Sequence, residues 1–225
     1  VKVPDELLAR VPEHLRHVDP GPVEPWPVRE TSEERAERLA VAQATRERVW
    51  SARVPARYQG ARLGALTRDQ HPAELQRWLD NGTQNLVLWS PGSSTGKTFA
   101  AYALGFEAVA RGRTALTWTA VGFLAALRPG GAPEGEDPMG SATGCDLLVL
   151  DDLGREKSAD SAWAHEQFHA LLDRRNGNRL RTVVTTNLTA AEMVARYDNQ
   201  LLARIVDDVK IIEFTGESMR SPAPW

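Results

Sequence analysis

Thiols are nearly missing from this chain. Cys145 is the one cysteine in 225 residues, so no intramolecular disulfide and no zinc knuckle built on several thiolates can form. Long apolar runs are missing as well: no stretch approaches the ~20 residues needed to cross a bilayer. No basic-then-apolar leader opens the residues at hand, and the expectation is a cytoplasmic protein with no membrane partner. Neither sign of charge dominates. The 27 Lys and Arg against 30 Asp and Glu leave a net charge of −3, which excludes an overall basic field, so nucleic acid would be met by a local patch or within an assembly. A Gly-x-Ser-x-Gly nucleophile elbow is also absent.

What is present changes character along the chain. Residues 1–30 hold six prolines (4, 12, 20, 22, 25 and 27), too many for one helix. They read as an extended arm with one short helical turn around Asp5–Arg10, either a disordered tail or a partner-binding arm. Thr31-Ser-Glu-Glu34 then has the spacing of a capping box. It opens a Glu/Arg/Ala-rich helix running to Trp50, with Glu34 and Arg38 placed for an i,i+4 pair. The thin apolar face of this helix predicts a surface position or a docked partner.

From about Val54 strands and helices alternate. Apolar runs at Leu86–Trp89, Thr114–Thr119, Leu147–Leu150, Val183–Thr186 and Ile211–Phe214 predict five strands covered on both faces. Helices are expected at Thr98–Arg111, Ala120–Leu127, Ser161–Arg175 and Ala190–Asp207. Such alternation predicts an α/β fold with a mainly parallel five-stranded sheet flanked by helices. Pro129–Met139 reads as a loop without periodicity.

Two motifs carry chemistry. The first is LVLWSPGSSTGKTF over residues 86–99, an apolar strand that breaks into a Gly/Ser-rich turn before a helix. That context marks a phosphate-binding P-loop, in which the amides of a helix N-terminus face an anion. Gly92, Ser93, Ser94, Thr95, Gly96, Lys97 and Thr98 form the expected cradle. Lys97 reaches the outer phosphates, and the Thr98 hydroxyl completes a Mg²⁺ shell. Pro91 stands where the pattern asks for its first glycine, with Gly92 expected to supply the turn one residue later. The second motif, DLLVLDDLG over residues 146–154, is a buried strand with two aspartates at its carboxyl end, the edge where open α/β sheets bind ligands. Asp151 is expected to hold Mg²⁺ through water, and Asp152 to orient or deprotonate an attacking water. Each motif alone also fits a plain turn; together they predict a nucleoside triphosphatase.

His165-Glu-Gln-Phe-His169 matches HExxH, a zinc-protease signature. Phe168, Leu171 and Leu172 at amphipathic spacing point instead to a packing helix, and no further histidine follows.

LLVLDDLGREKSADSAWAHEQFHALLDRR, RTVVTTNLTAAEM, LLARIVDD and FTGESMR occur in order, after VPARYQGARL. Over residues 50–222 the chain closely resembles the AAA+ ATPases of the DnaC-type helicase-loader and IstB-type transposition-helper group. The resemblance implies a P-loop NTPase (AAA+/ASCE) domain over residues 54–222, using ATP and Mg²⁺, preceded by the proline-rich arm (1–30) and a charged helix or linker (31–53). It implies that Asn187 helps position the attacking water and that Arg204 is an arginine finger acting on ATP held by a neighbouring subunit. Arg220 falls at a sensor-2-type position. Departures are Pro91 in place of the first loop glycine, Asp152 where many AAA+ proteins carry glutamate, although this group often carries Asp-Asp, and Ala203 before Arg204 where a serine is commoner. The shorter carboxylate implies slow, partner-stimulated hydrolysis. The implied role is loading a replicative hexameric DnaB-type helicase onto single-stranded DNA. The helicase would be gripped by the N-terminal region, and self-association would run through the Arg204 face. A transposition helper on duplex DNA and a nucleotide-binding regulator with little hydrolysis are the alternatives.

Overall fold

The computed structural model describes residues 30–82, 84–156 and 161–215. The expectations for the arm, including the turn at Asp5–Arg10, and for Arg220 lie outside the described residues. The chain divides into two compact units, Val1–Arg38 and Leu39–Trp225.

In the first unit, the capping box forms as read. Glu34 N–H donates to Thr31 Oγ1 at 3.1 Å, and Thr31 N–H donates to Glu34 Oε2 at 2.8 Å. It opens helix α1 (Ser32–Arg53). The expected Glu34–Arg38 pair does not form. Capping consumes the Glu34 carboxylate, and Arg38 reaches back to Glu30 at 2.8 Å instead.

In the second unit, five strands make one parallel sheet in the order β2-β3-β4-β1-β5. They are β1 (Asn85–Trp89), β2 (Ala115–Thr119), β3 (Leu147–Leu153), β4 (Arg181–Thr186) and β5 (Val209–Glu213). β4 is thus inserted between β1 and β3. The helices are α2 (Pro72–Asn81), α3 (Lys97–Ala110), α4 (Ala120–Ala126), α5 (Pro138–Gly144), α6 (Ser161–Gly177), α7 (Ala190–Tyr197) and α8 (Asn199–Val206).

Alternation along the strands divides the core in two. Leu86, Leu88, Leu147, Val149 and Val183 pack with α2, α3 and Trp50. Val87, Leu148, Leu150 and Val184 pack with Phe123, Phe168, Leu171, Leu172, Tyr197 and Leu201. Each such side chain taken fully from water contributes about 1.5–3 kcal/mol. Double coverage was expected of every strand, but β5 is an edge, and its Ile211 is 54% exposed.

The thin face of α1 hides one strong anchor. Trp50 is fully buried and packs edge-on against Tyr102 and Phe106. A Cβ at Gly105 would come within 2.0 Å of its ring, so the approach of Trp50 to α3 depends on that glycine.

The structure differs from the expected helices and loops in three places. Ala190–Asp207 is two helices: Asp198, at φ 110°, breaks the first and caps the second by accepting from Leu201 N–H at 2.8 Å. The loop from Pro129 ends at Asp137, whose carboxylate caps α5, so Pro138 and Met139 are helical. The third is α2, which the sequence reading did not place. It starts on Pro72, where the missing N–H costs nothing, and buries Leu75, Trp78 and Leu79.

Candidate functional site

The loop after β1, the start of α3, the end of β3 and the residue after β4 converge at the carboxyl edge of the sheet. They enclose a cleft of about 310 Å³ lined by Ser93 through Phe99, Asp151, Asp152, Arg155 and Asn187, with Arg57 and Tyr58 at its side. The P-loop and the paired aspartates, read separately in the sequence, therefore share one cavity.

Backbone geometry in the loop differs from the reading in one respect. The left-handed turns fall on Ser94 (φ 65°) and Gly96 (φ 98°) rather than on Gly92. Gly92 anchors the loop differently, donating its N–H to Ser90 Oγ at 3.2 Å. Pro91 is exposed and outside the cleft lining. Gly96 caps α3, whose first residues, Lys97 and Thr98, face the cleft, so the helix presents unpaired amides and its positive dipole end there.

Lys97 is buried, and its ammonium donates to Gly92 O at 3.0 Å and to Thr95 Oγ1 at 3.4 Å. Burial pushes its pKa down, opposed by the negative charges of Asp152 and Asp151. The Thr98 hydroxyl donates to Asp151 Oδ1 at 3.0 Å, and the Thr185 hydroxyl donates to the same oxygen at 2.6 Å. Asp151 is buried, and that burial holds its carboxyl above the usual carboxylate range, opposed by the two hydroxyl hydrogen bonds. A hydroxyl and a carboxylate converging in this way form an all-oxygen donor set, the chemistry Mg²⁺ prefers.

Asp151 and Asp152 are consecutive, so a regular strand would send them to opposite faces. Here both line the cleft, because β3 bulges. Leu150 pairs with Val184 and Leu153 with Thr186, so two β3 residues oppose the single Thr185. Asp152 takes a left-handed φ of 56°, and its N–H donates to Thr185 Oγ1 at 2.8 Å. Arg155 sits 3.9 Å from the Asp152 carboxylate.

The other expected residues fall in two places. Asn187 lines the cleft just past β4. Arg204 is not in this cleft; it lies on α8, where its guanidinium pairs with Asp173 and donates to Gln200 O at 3.0 Å. Its carbonyl accepts from Asn85 at 3.2 Å and Asn176 at 2.9 Å, which fixes α8 to β1 and α6. The HExxH histidines are occupied with packing: the His165 ring tilts against Tyr197, and His169 lies 3.4 Å from Asp198. Among the described residues no group of three or more His, Cys, Asp or Glu is placed to hold a metal ion.

Sequence reasoning missed Thr185, Arg155, Arg57, Tyr58 and Phe99. Thr185 had a legible signal: it is a polar residue at the carboxyl end of a buried apolar strand, as the aspartates are.

The family model described as IstB-like ATP binding protein matches residues 72–223, well over half of the chain. The chain belongs to this family. No curated protein matches it. Similar folds among solved structures include DnaI, at 21% identity over 74% of this chain and 94% of that one, with a TM-score of 0.62. The DnaC helicase loader is similar at 20% identity, over 72% of this chain and 100% of that chain, with a TM-score of 0.60. The replication initiator DnaA bound to AMPPCP and single-stranded DNA is 18% identical over 70% of this chain and 50% of that one, with a TM-score of 0.56. These likenesses concern the fold. The family membership and these folds make this an IstB-like ATP-binding chain with the P-loop α/β fold shared by DnaI, DnaC and DnaA, and its IstB-like core carries the cleft. Among the described residues no helix is long and apolar enough to cross a membrane.

Proposed function

We propose that this IstB-like chain hydrolyses Mg·ATP and uses the nucleotide state to load a replicative hexameric DnaB-type helicase onto single-stranded DNA. One observation carries the ATPase part: Lys97, Thr98, Asp151 and Asp152 line the same cleft at the start of α3.

In this reading residues 54–222 are the ATPase domain. The amides from about Ser94 to Thr98 cradle the phosphates, with Gly92 shaping the loop through its bond to Ser90, and the Lys97 ammonium turns to the outer ones. Thr98 and Asp151 hold Mg²⁺, which when bound neutralises charge on the phosphoryl oxygens. Asp152 orients or deprotonates the attacking water, and Asn187 helps to position it. Arg204 acts across a subunit boundary on ATP held by a neighbour, where a guanidinium stabilises charge on the transferring group. Arg220 serves as a sensor-2-type arginine. Hydrolysis is slow and stimulated by a partner, because the Asp152 side chain is short for its task.

The helicase would be gripped by the proline-rich arm (1–30) and the charged helix or linker (31–53), which read less like a DNA-binding module than like a protein-docking one. The DnaC helicase loader among the similar folds points the same way. The IstB-like family description favours a second reading, a transposition helper that assembles on duplex DNA.

Replacing Lys97 with alanine should abolish nucleotide binding. Asp152→Ala should spare binding and lower turnover about 10²-fold or more. Unchanged ATP affinity and turnover in Lys97→Ala would remove the P-loop assignment. Co-purification with a replicative helicase, lost on deletion of residues 1–38, which spares the buried Trp50, supports loading. Tight binding to duplex DNA with no helicase captured would favour the transposition helper.

A further inference from the structure

We infer that Thr185 is a positioning residue of the ATPase centre: its one hydroxyl locks the β3 bulge so that both aspartates face the nucleotide. The inference rests on the ATPase reading and assigns the work of orienting its carboxylates.

The geometry is specific. Thr185 is fully buried on β4, the strand that stands between the P-loop strand and the aspartate strand. A threonine hydroxyl has one proton to give and lone pairs to accept with, and here both functions are used. The proton goes to Asp151 Oδ1 at 2.6 Å. A lone pair takes the Asp152 N–H at 2.8 Å. That N–H belongs to the bulge, where the regular ladder is broken between Leu150 and Leu153. A buried backbone donor left without a partner is costly, so the hydroxyl does for Asp152 what a ladder carbonyl does elsewhere in the sheet. It also offsets the left-handed φ of 56° at that residue. Without the bulge, the two carboxylates would part to opposite sheet faces, and one of them would leave the cleft. Bulges recur beside active sites because they re-aim side chains.

Thr98 contributes separately. Its hydroxyl meets the same Asp151 oxygen from the P-loop side at 3.0 Å, so Asp151 is held from β4 and from α3 at once. Only the β4 contact also reaches Asp152.

The test compares Thr185→Val, which keeps shape and loses the hydroxyl, with Thr185→Ser, which keeps the hydroxyl. Three quantities are measured on the whole 225-residue chain. They are binding of a methylanthraniloyl-ATP probe without Mg²⁺, the Mg²⁺ concentration for half-maximal hydrolysis together with kcat, and hydrogen exchange at the Asp152 amide. For Thr185→Val, probe affinity without Mg²⁺ should stay within about twofold of wild type. The Mg²⁺ midpoint should rise by about tenfold or more, the scale of a lost hydrogen bond to a charged group, and Asp152 exchange should accelerate by roughly three- to tenfold, the scale of a lost neutral one. Thr185→Ser should return the Mg²⁺ midpoint and the Asp152 exchange rate to wild type and leave probe affinity unmoved. Wild-type Mg²⁺ dependence and exchange in Thr185→Val would overturn the inference. Equal impairment in Thr185→Ser would do so too, since the lost methyl packing would then be the cause. If the wild-type chain takes up no probe, the ATPase reading fails, while the exchange comparison still decides whether Thr185 holds the bulge.

Discussion

The Thr98 hydroxyl and the Asp151 carboxylate meet at 3.0 Å although 53 positions separate them along the chain. One belongs to the first turn of α3 and the other to the end of β3, so their meeting joins the two halves of the cleft. If this pair holds Mg²⁺, Thr98→Ala and Asp151→Asn should each bind ATP in EDTA as wild type does. Neither should show the tightening that Mg²⁺ gives the wild-type chain, which is expected to be about tenfold or more. Isothermal titration with and without Mg²⁺ checks this; a full Mg²⁺ effect in both variants would place the cation elsewhere.

Arg204 is engaged within its own subunit, and the Asp173 hydrogen bond holds its pKa up. For Arg204 to serve a neighbouring site it must leave Asp173. Both side chains are substantially exposed, so the hold is weak. Asp173→Asn should lower the protein concentration needed for half-maximal ATPase activity by roughly two- to fivefold, the worth of an exposed ion pair. Mixing Arg204→Ala with Asp152→Ala chains should recover activity that neither shows alone. An unmoved concentration profile and no recovery on mixing would exclude a finger acting between subunits.

Burial raises the Asp151 pKa, opposed by the Thr185 and Thr98 hydroxyls, and this has a signature in stability. The folded chain keeps a proton on Asp151 at pH values where the unfolded chain, with an ordinary carboxylate near about 3.9, has lost it. The folded state binds more protons over that interval, so this group's contribution to stability declines as pH rises from the unfolded value through the folded one. Asp151→Asn removes the effect. Without nucleotide, that variant should melt above wild type at pH 7, with the difference closing as pH falls toward about 4. Melting curves across that range, with Lys97, Asp152 and Arg155 unaltered, read it directly; a variant less stable than wild type at pH 7 would contradict the assignment.

The Trp50–Gly105 approach sets a stability expectation independent of ATP. Trp50→Ala should cost about 3–5 kcal/mol of unfolding free energy. Gly105→Ala, which drives a methyl into the indole, should cost about 1–3 kcal/mol. Denaturant titrations measure both. If α1 adds nothing to the core, the tryptophan variant will unfold with the wild-type midpoint.

The sequence announced the sheet and both site motifs because each rests on a local pattern. Leu147 through Leu150 is a short continuous apolar run of the kind buried strands carry, and Gly-Lys-Thr after an apolar run opens a helix onto an anion site. What escaped depends on through-space partners. The bulge at Asp151–Asp152 is invisible in DLLVLDDLG, since the hydroxyl that stabilises it comes from β4. The Glu34–Arg38 spacing was correct, but capping used the glutamate and Glu30 took the arginine. α2 is legible in Pro72, Leu75, Trp78 and Leu79, but it follows a stretch of three short 3₁₀ turns whose irregular pattern hides its start. The break at Asp198 could have been read as an N-cap, yet uninterrupted apolar spacing on both sides concealed it.

The inserted strand β4 has a mechanical consequence. β1 and β3 each bond to β4 and not to one another, so their ends stand two inter-strand spacings apart, about 9.5 Å. That width is dictated by peptide geometry, which no side-chain replacement in the loop or the aspartate pair can alter. The jaws of the cleft therefore have a fixed gauge. Evolution can retune what lines them, but only a shift of β4 itself would widen or narrow their grip.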